Sequence, residues 1–199
     1  MSYLVVGLGN IGAEYADTRH NIGFLVLDAL AKASGISFST LRYGSLAEVK
    51  FRGKHVFLLK PSTYMNLSGK AINYWIREAQ IPLERLLVVV DDLALPLGTL
   101  RMRKQGSDGG HNGLRSINEV LGTTVYTRLR VGIGNHFGRG RQVDYVLGPW
   151  DDEELRELPF ILDKCRSAIE AFVTIGPDRA MNIFNLTVAC QAEDPPFCD

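Results

Sequence analysis

Apolar positions change period repeatedly along this chain, and the changes divide it into strands and helices. Residues 3–8 (YLVVGL) are a short apolar run closed by glycine, the mark of a buried strand. From Ile22 the period lengthens: Ile22, Leu25, Val26, Leu27, Leu30 and Ala33 make a helical stripe that Gly35 ends. SLAEVKF (45–51) alternates, and HVFLLK (55–60) follows across Arg52-Gly53-Lys54, a hairpin signal. Helical spacing returns from Ser68 to Ala79, with Ala71, Ile72, Trp75 and Ile76 facing inward. LLVVVDD (86–92) is the clearest core strand, five apolar residues ending in two carboxylates. TLRMRK (99–104) reads as a strand, 112–121 as a helix and RLRVGIG (128–134) as a strand. VDYVL (143–147) reads as a short strand or sheet edge. Residues 151–175 predict an amphipathic helix and 177–185 a short last one.

Strands alternating with helices predict an α/β fold, a mixed twisted sheet with helices on both faces. In open sheets of this class, sites form at the carboxyl ends of strands. Asn10, Asp91, Asp92 and the loop from Lys60 to Asn66 all fall there. A length of 199 residues predicts one domain with a sizeable core. No apolar run is long enough for a membrane span, and the first residues lead directly into a strand without a basic leader. Cys165, Cys190 and Cys198 are odd in number and have no metal-ligand spacing, which suits a reducing cytoplasm and argues against a zinc site. The end, LTVACQAEDPPFCD, carries acids and prolines without pattern, so residues 186–199 are expected to fray.

Net charge is zero and does not discriminate among partners. Its distribution does more. RMRK at 101–104 is followed by Arg115, Arg128, Arg130, Arg139 and Arg141, while acids gather at 151–157. A neutral protein can still carry one basic face.

Gly7-Leu8-Gly9-Asn10-Ile11-Gly12 spells a dinucleotide fingerprint directly after a strand. That motif needs a helix beginning at its second glycine, so that the helix N-terminus can hold a pyrophosphate. Here AEYADTRHN intervenes, and Asp28, the candidate ribose ligand, sits inside the helix. A nicotinamide or flavin site is therefore disfavoured.

Nucleophilic-serine, zinc-hydrolase and P-loop patterns are also missing. What remains is His20, a strand-end Asp, and asparagines 10, 21 and 66 among loop glycines. An imidazole titrating near pH ~6.5 can take a proton from water at neutral pH. A carboxylate on its other nitrogen fixes the tautomer. An Asn amide can donate to a developing oxyanion, worth roughly 2.7–4 kcal/mol. The set suits attack of activated water on an ester without a metal. His55 reads as a surface residue and His136 as part of a flexible loop, GNHFGRGR. His111 lies in a glycine-rich loop (GSDGGHNGL) suited to a phosphate or RNA contact, where Asn112 would cap the next helix.

Five segments, VGLGNIGAEYADTRHNIGF, KPSTYMNLSG, VVVDDLALPLG, GSDGGHNGLRSI and RLRVGIG, in that order and spacing, resemble the bacterial-type peptidyl-tRNA hydrolase family. The resemblance runs from about residue 3 to 185. It implies one catalytic α/β domain over 1–185 that cleaves the ester between a peptide and the tRNA 3′ ribose, with no metal or other cofactor. It implies His20 as general base, oriented by Asp91. Asn10, Asn66 and Asn112 would bind the substrate's 3′ end and peptide backbone and help stabilise the oxyanion. Tyr64 and Met65 would lie beside the terminal adenosine and ester, and Tyr15 and Gly109 also count among the implied substrate contacts. Arg103 and Arg130 would clamp the tRNA 5′ phosphate. The implied protein is a cytoplasmic monomer with no membrane or obligate protein partner. Three features depart from the family: Asp108 before GGHNG, Ala94 after the Asp motif, and the neutral overall charge. A carboxylate at 108 would repel phosphate unless it pairs with Arg101 or Arg103. A non-catalytic RNA-binding protein of the same fold is the alternative, and it would be expected to have lost His20, Asp91 or the asparagines.

Overall fold

Residues 1–185 are described by a computed structural model. The apolar runs form a seven-stranded sheet in the order β2-β3-β4-β1-β5-β7-β6. Its centre consists of β4 (Lys54–Pro61), β1 (Ser2–Gly7), β5 (Leu86–Asp92) and β7 (Thr127–Gly132), all parallel. Antiparallel β3 (Gly44–Phe51) and β2 (Ser39–Leu41) extend one edge, and antiparallel β6 (Leu100–Arg103) closes the other. The short β2 was not foreseen; its three residues are all exposed, so they carry no in–out pattern to read.

Every residue of β5 is buried, because helices cover both faces of the sheet there. Val5, Leu87 and Val89 face one core with α1 (Ile22–Ala33), α5 (Asp152–Ile175) and α6 (Pro177–Phe184). Leu4, Val6, Val88 and Val90 face the other with α2 (Ser68–Glu78) and α3 (Asn112–Leu121). Each fully buried aliphatic side chain contributes about 1.5–3 kcal/mol.

One segment differs from its expectation. Residues 143–147 are not a strand: Gln142–Val146 is a short helix, α4, with Tyr145 N–H bonded to the Arg141 carbonyl and Leu147 N–H to that of Val143. Alternation over five residues cannot separate the two periods. The expected tail, 186–199, lies outside the described residues. No described helix is long and apolar enough to cross a membrane.

The glycines of the apparent fingerprint serve packing. A side chain on Gly7 would run into the Gly23 carbonyl, and one on Gly23 into the backbone of Leu8. The two glycines let α1 pass directly against the end of β1. Asp28 is exposed on α1 and pairs with Lys60 at 2.5 Å. The dinucleotide reading therefore has neither its helix start nor its acidic strand end.

Candidate active site

Strand β5 delivers Asp91 and Asp92 to the carboxyl end of the sheet, where loops after β1 and β6 close over them. The Asp91 carboxylate stands between two imidazoles. His20 Nδ1 lies 2.9 Å from one oxygen, and His111 Nε2 lies 2.8 Å from the other. The Asp91 side chain is only 3% exposed, so this double partnering is what makes its charge tolerable.

Hydrogen bonding fixes the proton positions. His111 Nδ1 accepts the Gly113 N–H at 3.1 Å and, more weakly, that of Leu114, so it caps α3 with its ring. Nδ1 is then the unprotonated nitrogen, and Nε2 donates to Asp91. The expected cap, Asn112, is instead the first residue of the helix, and its exposed side chain is left for other use. His20 donates from Nδ1, which leaves Nε2 as the basic nitrogen, without a protein partner among the described residues. Burial opposes the His20 imidazolium, but the charge and hydrogen bond of Asp91 outweigh it and raise the pKa above 6.5. Burial would likewise raise the Asp91 pKa, yet His111 and then His20 hold it well below the usual carboxylate range.

His20, Asp91 and His111 offer donor atoms within 4.8 Å of one another, so a metal deserves consideration. The arrangement does not fit one. A metal on His111 Nε2 would require a proton on Nδ1, where the Gly113 N–H already points. The cluster is a hydrogen-bonded chain of imidazole, carboxylate and imidazole.

The loop bearing His20 is bolted down. The neighbouring Arg19 guanidinium meets the Glu154 carboxylate through two nitrogens, at 3.0 and 2.6 Å, with both side chains 9% exposed. It also donates to the Tyr145 carbonyl and stacks over the Tyr145 ring at 4.3 Å. Glu154 in turn closes a capping box with Asp151 at the start of α5. Removing either partner of such a buried pair strands a charge, at a cost on the order of 3–5 kcal/mol.

Asn10 is held as firmly. Its backbone N–H and carbonyl form a two-way bridge to the Asn21 amide, both at 2.9 Å. Its side-chain oxygen accepts the Met65 N–H at 2.8 Å, so its NH₂ is the group left to donate. Asn21, one of the candidate polar residues of the sequence, is thus a positioning residue that acts through Asn10. Asn66 is exposed on the turn Met65–Leu67, which packs on α3. Close approach explains that packing: a side chain on Gly113 would strike Met65 Sδ, and one on Gly69 would strike the Ser116 carbonyl. Gly113 therefore serves helix packing, not ligand approach. Gly109 and Gly110, both at positive φ with open space around Cα, are the glycines that face the cleft.

A cleft of about 430 Å³ is lined by His20, Asp91, His111, Asn112, Gly109 and Arg130, among others. Asn10 lines a neighbouring cleft of about 350 Å³ with Lys60 and Phe24. Tyr15 is half-buried and Tyr64 is 56% exposed; neither lines either cleft. Met65 is buried beneath Asn10 and Gly113.

Four arginines share one face of the β6–β7 pair, because Arg101 faces Arg130 and Arg103 faces Arg128 across it. They are not equivalent. Arg128 is buried and holds the glycine-rich loop through the carbonyls of Gly106 and Ser107, so it is removed from the expected basic surface. Arg130 pairs with Asp92 at 2.6 Å, and Arg101 reaches the Asn185 carbonyl. Among the described residues Arg103 bonds only the carbonyl of Met102, and it stays exposed. Asp108 pairs with neither Arg101 nor Arg103 among the described residues; it accepts the Gly110 N–H in a local turn and lines the cleft.

The family model described as "Peptidyl-tRNA hydrolase" matches residues 4–193. This chain belongs to the peptidyl-tRNA hydrolase family. It is 56% identical over 185 residues to the peptidyl-tRNA hydrolase of Cytophaga hutchinsonii, covering 93% of this chain and 98% of that one. The peptidyl-tRNA hydrolase of Gloeobacter violaceus is 45% identical over 195 residues, covering 96% and 98% of the two chains. The crystal structure of peptidyl-tRNA hydrolase from Acinetobacter baumannii superposes with a TM-score of 0.86 at 36% identity, covering 92% of this chain and 94% of that one. The expected family and the expected α/β fold are both borne out.

Proposed function

We propose that this chain hydrolyses the ester joining a peptide to the 3′ ribose of tRNA, with His20 as the base. The family membership and the full-length similarity support the reaction class. One observation carries the mechanism: His20 is tethered to Asp91 through Nδ1, which leaves Nε2 basic at the wall of the cleft.

His20 Nε2 takes a proton from a water, whose oxygen attacks the ester carbonyl carbon. The resulting imidazolium is stabilised by Asp91, itself held as a carboxylate by His111. Negative charge gathers on the former carbonyl oxygen, and the Asn66 amide donates to it. The NH₂ of Asn10 and the side chain of Asn112 hold the substrate's 3′ end and peptide backbone. Collapse of the tetrahedral intermediate expels the ribose oxygen, which takes the proton back, and frees peptide and tRNA. Tyr64 and Met65 lie beside the terminal adenosine, with Tyr15 and Gly109 as further contacts. Arg103 and Arg130 receive the 5′ phosphate of the acceptor stem through charge-assisted hydrogen bonds. The protein acts as a cytoplasmic monomer. The RNA-binding alternative is not favoured, since His20, Asp91 and all three asparagines are present.

The test is release of peptide from peptidyl-tRNA by the purified protein in EDTA, beside His20→Ala. Turnover that survives chelation and vanishes in the variant supports a His-dependent, metal-independent esterase. A wild type that binds tRNA without turnover would restore the RNA-binding reading.

A further inference from the structure

A third cleft, of about 540 Å³, lies away from the catalytic centre on the α2 side of the sheet. Its lining holds three cations, Arg42, Lys70 and Arg77, two phenol rings, Tyr43 and Tyr74, and a single carboxylate, Glu78. None of the three cations makes an ion pair among the described residues, although nine such pairs occur elsewhere. Lys70, Asn73, Tyr74 and Arg77 recur at three- and four-residue spacing, so they form one outward stripe of α2. Its opposite stripe, Ala71, Ile72 and Trp75, is core.

The cleft is built rather than incidental. Tyr43 adopts φ 62, a left-handed conformation costly for an aromatic residue. Two long-range bonds hold it there: Trp75 Nε1 donates to the Arg42 carbonyl at 3.0 Å, and Ser62 N–H to the Tyr43 carbonyl at 2.9 Å. The turn so fixed sets the Arg42 guanidinium 5.2 Å from the centroids of both Tyr43 and Tyr74. Those rings meet edge to face. The Ser62 bond ties the turn to the loop that leads to Asn66, and Lys70 lies one helical turn beyond that residue.

We infer that this cleft is a second RNA site, taking the sugar–phosphate backbone of tRNA on the edge of the molecule remote from Arg103 and Arg130. Unpaired cations recognise phosphate, and the two half-buried rings beside them, Tyr43 and Tyr74, hold the Arg42 guanidinium in place and offer their remaining accessible edges to ribose or base. An acidic peptide would satisfy the cations but gives no use for the paired rings. The inference rests on peptidyl-tRNA being the substrate.

The test compares wild type with an Arg42→Gln/Lys70→Gln/Arg77→Gln variant. All three residues are exposed, so the fold should survive, and turnover of a short peptidyl-nucleotide ester checks that it does. Binding of fluorescein-labelled deacylated tRNA is titrated at several KCl concentrations. The expected result is weaker binding in the variant and a slope of log affinity against log salt shallower by about two to three. KM for peptidyl-tRNA should rise with kcat unchanged. Equal affinity and equal slope in the two proteins would overturn the inference. So would a variant that keeps tRNA binding but loses binding of polyglutamate, which would assign the cleft to an acidic protein partner. Should the wild type fail to hydrolyse peptidyl-tRNA yet show the salt-slope difference, the function proposed above falls and the RNA site stands.

Discussion

Two loops bring an imidazole to the same carboxylate, and they hold it in opposite ways. The loop before α1 is fixed by Arg19, Thr18 and Asn21, yet it leaves one nitrogen of His20 uncommitted. The loop before α3 is rich in open glycines, yet both nitrogens of His111 are spent, one on Asp91 and one on the helix N-terminus. A base needs a rigid mount and a free lone pair. A prop needs only that its contacts be complete. The same side chain in the same cluster therefore has two different duties, and its partners decide which.

The largest test of that contrast is His20→Ala, expected to lower turnover by about 10²–10⁴-fold, with a loss of stability on the order of 1–3 kcal/mol because Asp91 keeps only His111 as its partner. Steady-state release of peptide reads it. Asp91→Asn should cost somewhat less and move the pH profile. Asp91 raises the His20 pKa, so the acid limb of kcat/KM should lie above pH 6.5 in the wild type and shift to lower pH in the variant. No shift, or an upward one, would break the assignment of Asp91 as the charge felt by the base.

His111→Ala should act mainly on the fold: loss of the cap costs about 0.5–2 kcal/mol, read by urea denaturation. Its effect on turnover should be on the order of tenfold, the worth of one hydrogen bond. Asn is itself a good cap, so His111→Asn should recover the cap's share of stability, though not the contact with Asp91, and should not recover turnover. If His111→Ala abolished activity as completely as His20→Ala, the two loops would not have separate duties.

Stability should depend weakly on pH through the same pair. His20 has a raised pKa when folded, so its contribution is complete below pH 6.5 and is lost as pH rises through the folded value. Asp91 is depressed, so its contribution is present above 3.8 and is lost as pH falls towards the folded value. Denaturation midpoints from pH 5 to 9 should decline slightly toward the alkaline end, and less so in His20→Ala. Smallest in turnover is Arg103→Ala, which should weaken tRNA-length substrates more than short esters and reduce the salt slope by about 1. Equal loss on both substrates would remove Arg103 from the phosphate clamp.

How much of this could be read beforehand follows from range. The strands and long helices were legible because their periods are sustained over many residues, and β5 announced both the core and its terminal carboxylates. The α4 segment was not, since five residues fit either period. The partnership of His20 with Asp91 spans 71 positions and came from family resemblance, not from spacing. The role of His111 was hidden because its glycine-rich loop reads as a phosphate or RNA contact, and because the next residue, Asn112, is the better cap by residue type. Arg128 looked like its neighbours in charge, and only burial separates it from them.

The strut from Arg19 to Glu154 has a consequence in the language of amide exchange. Arg19 N–H is bonded to the Gly148 carbonyl and Asn21 N–H to that of Thr18, beneath a buried ion pair anchored on a 24-residue helix. Active-site loops commonly exchange through cheap local openings. Here the amides of Arg19 and Asn21 should exchange as slowly as those of β5, through unfolding of the whole domain, while Gly109 across the cleft exchanges freely and Gly110, held only by the local turn at Asp108, exchanges through cheap local opening. The breathing that admits a substrate then belongs to one wall of the cleft, and the wall that carries the base stays still.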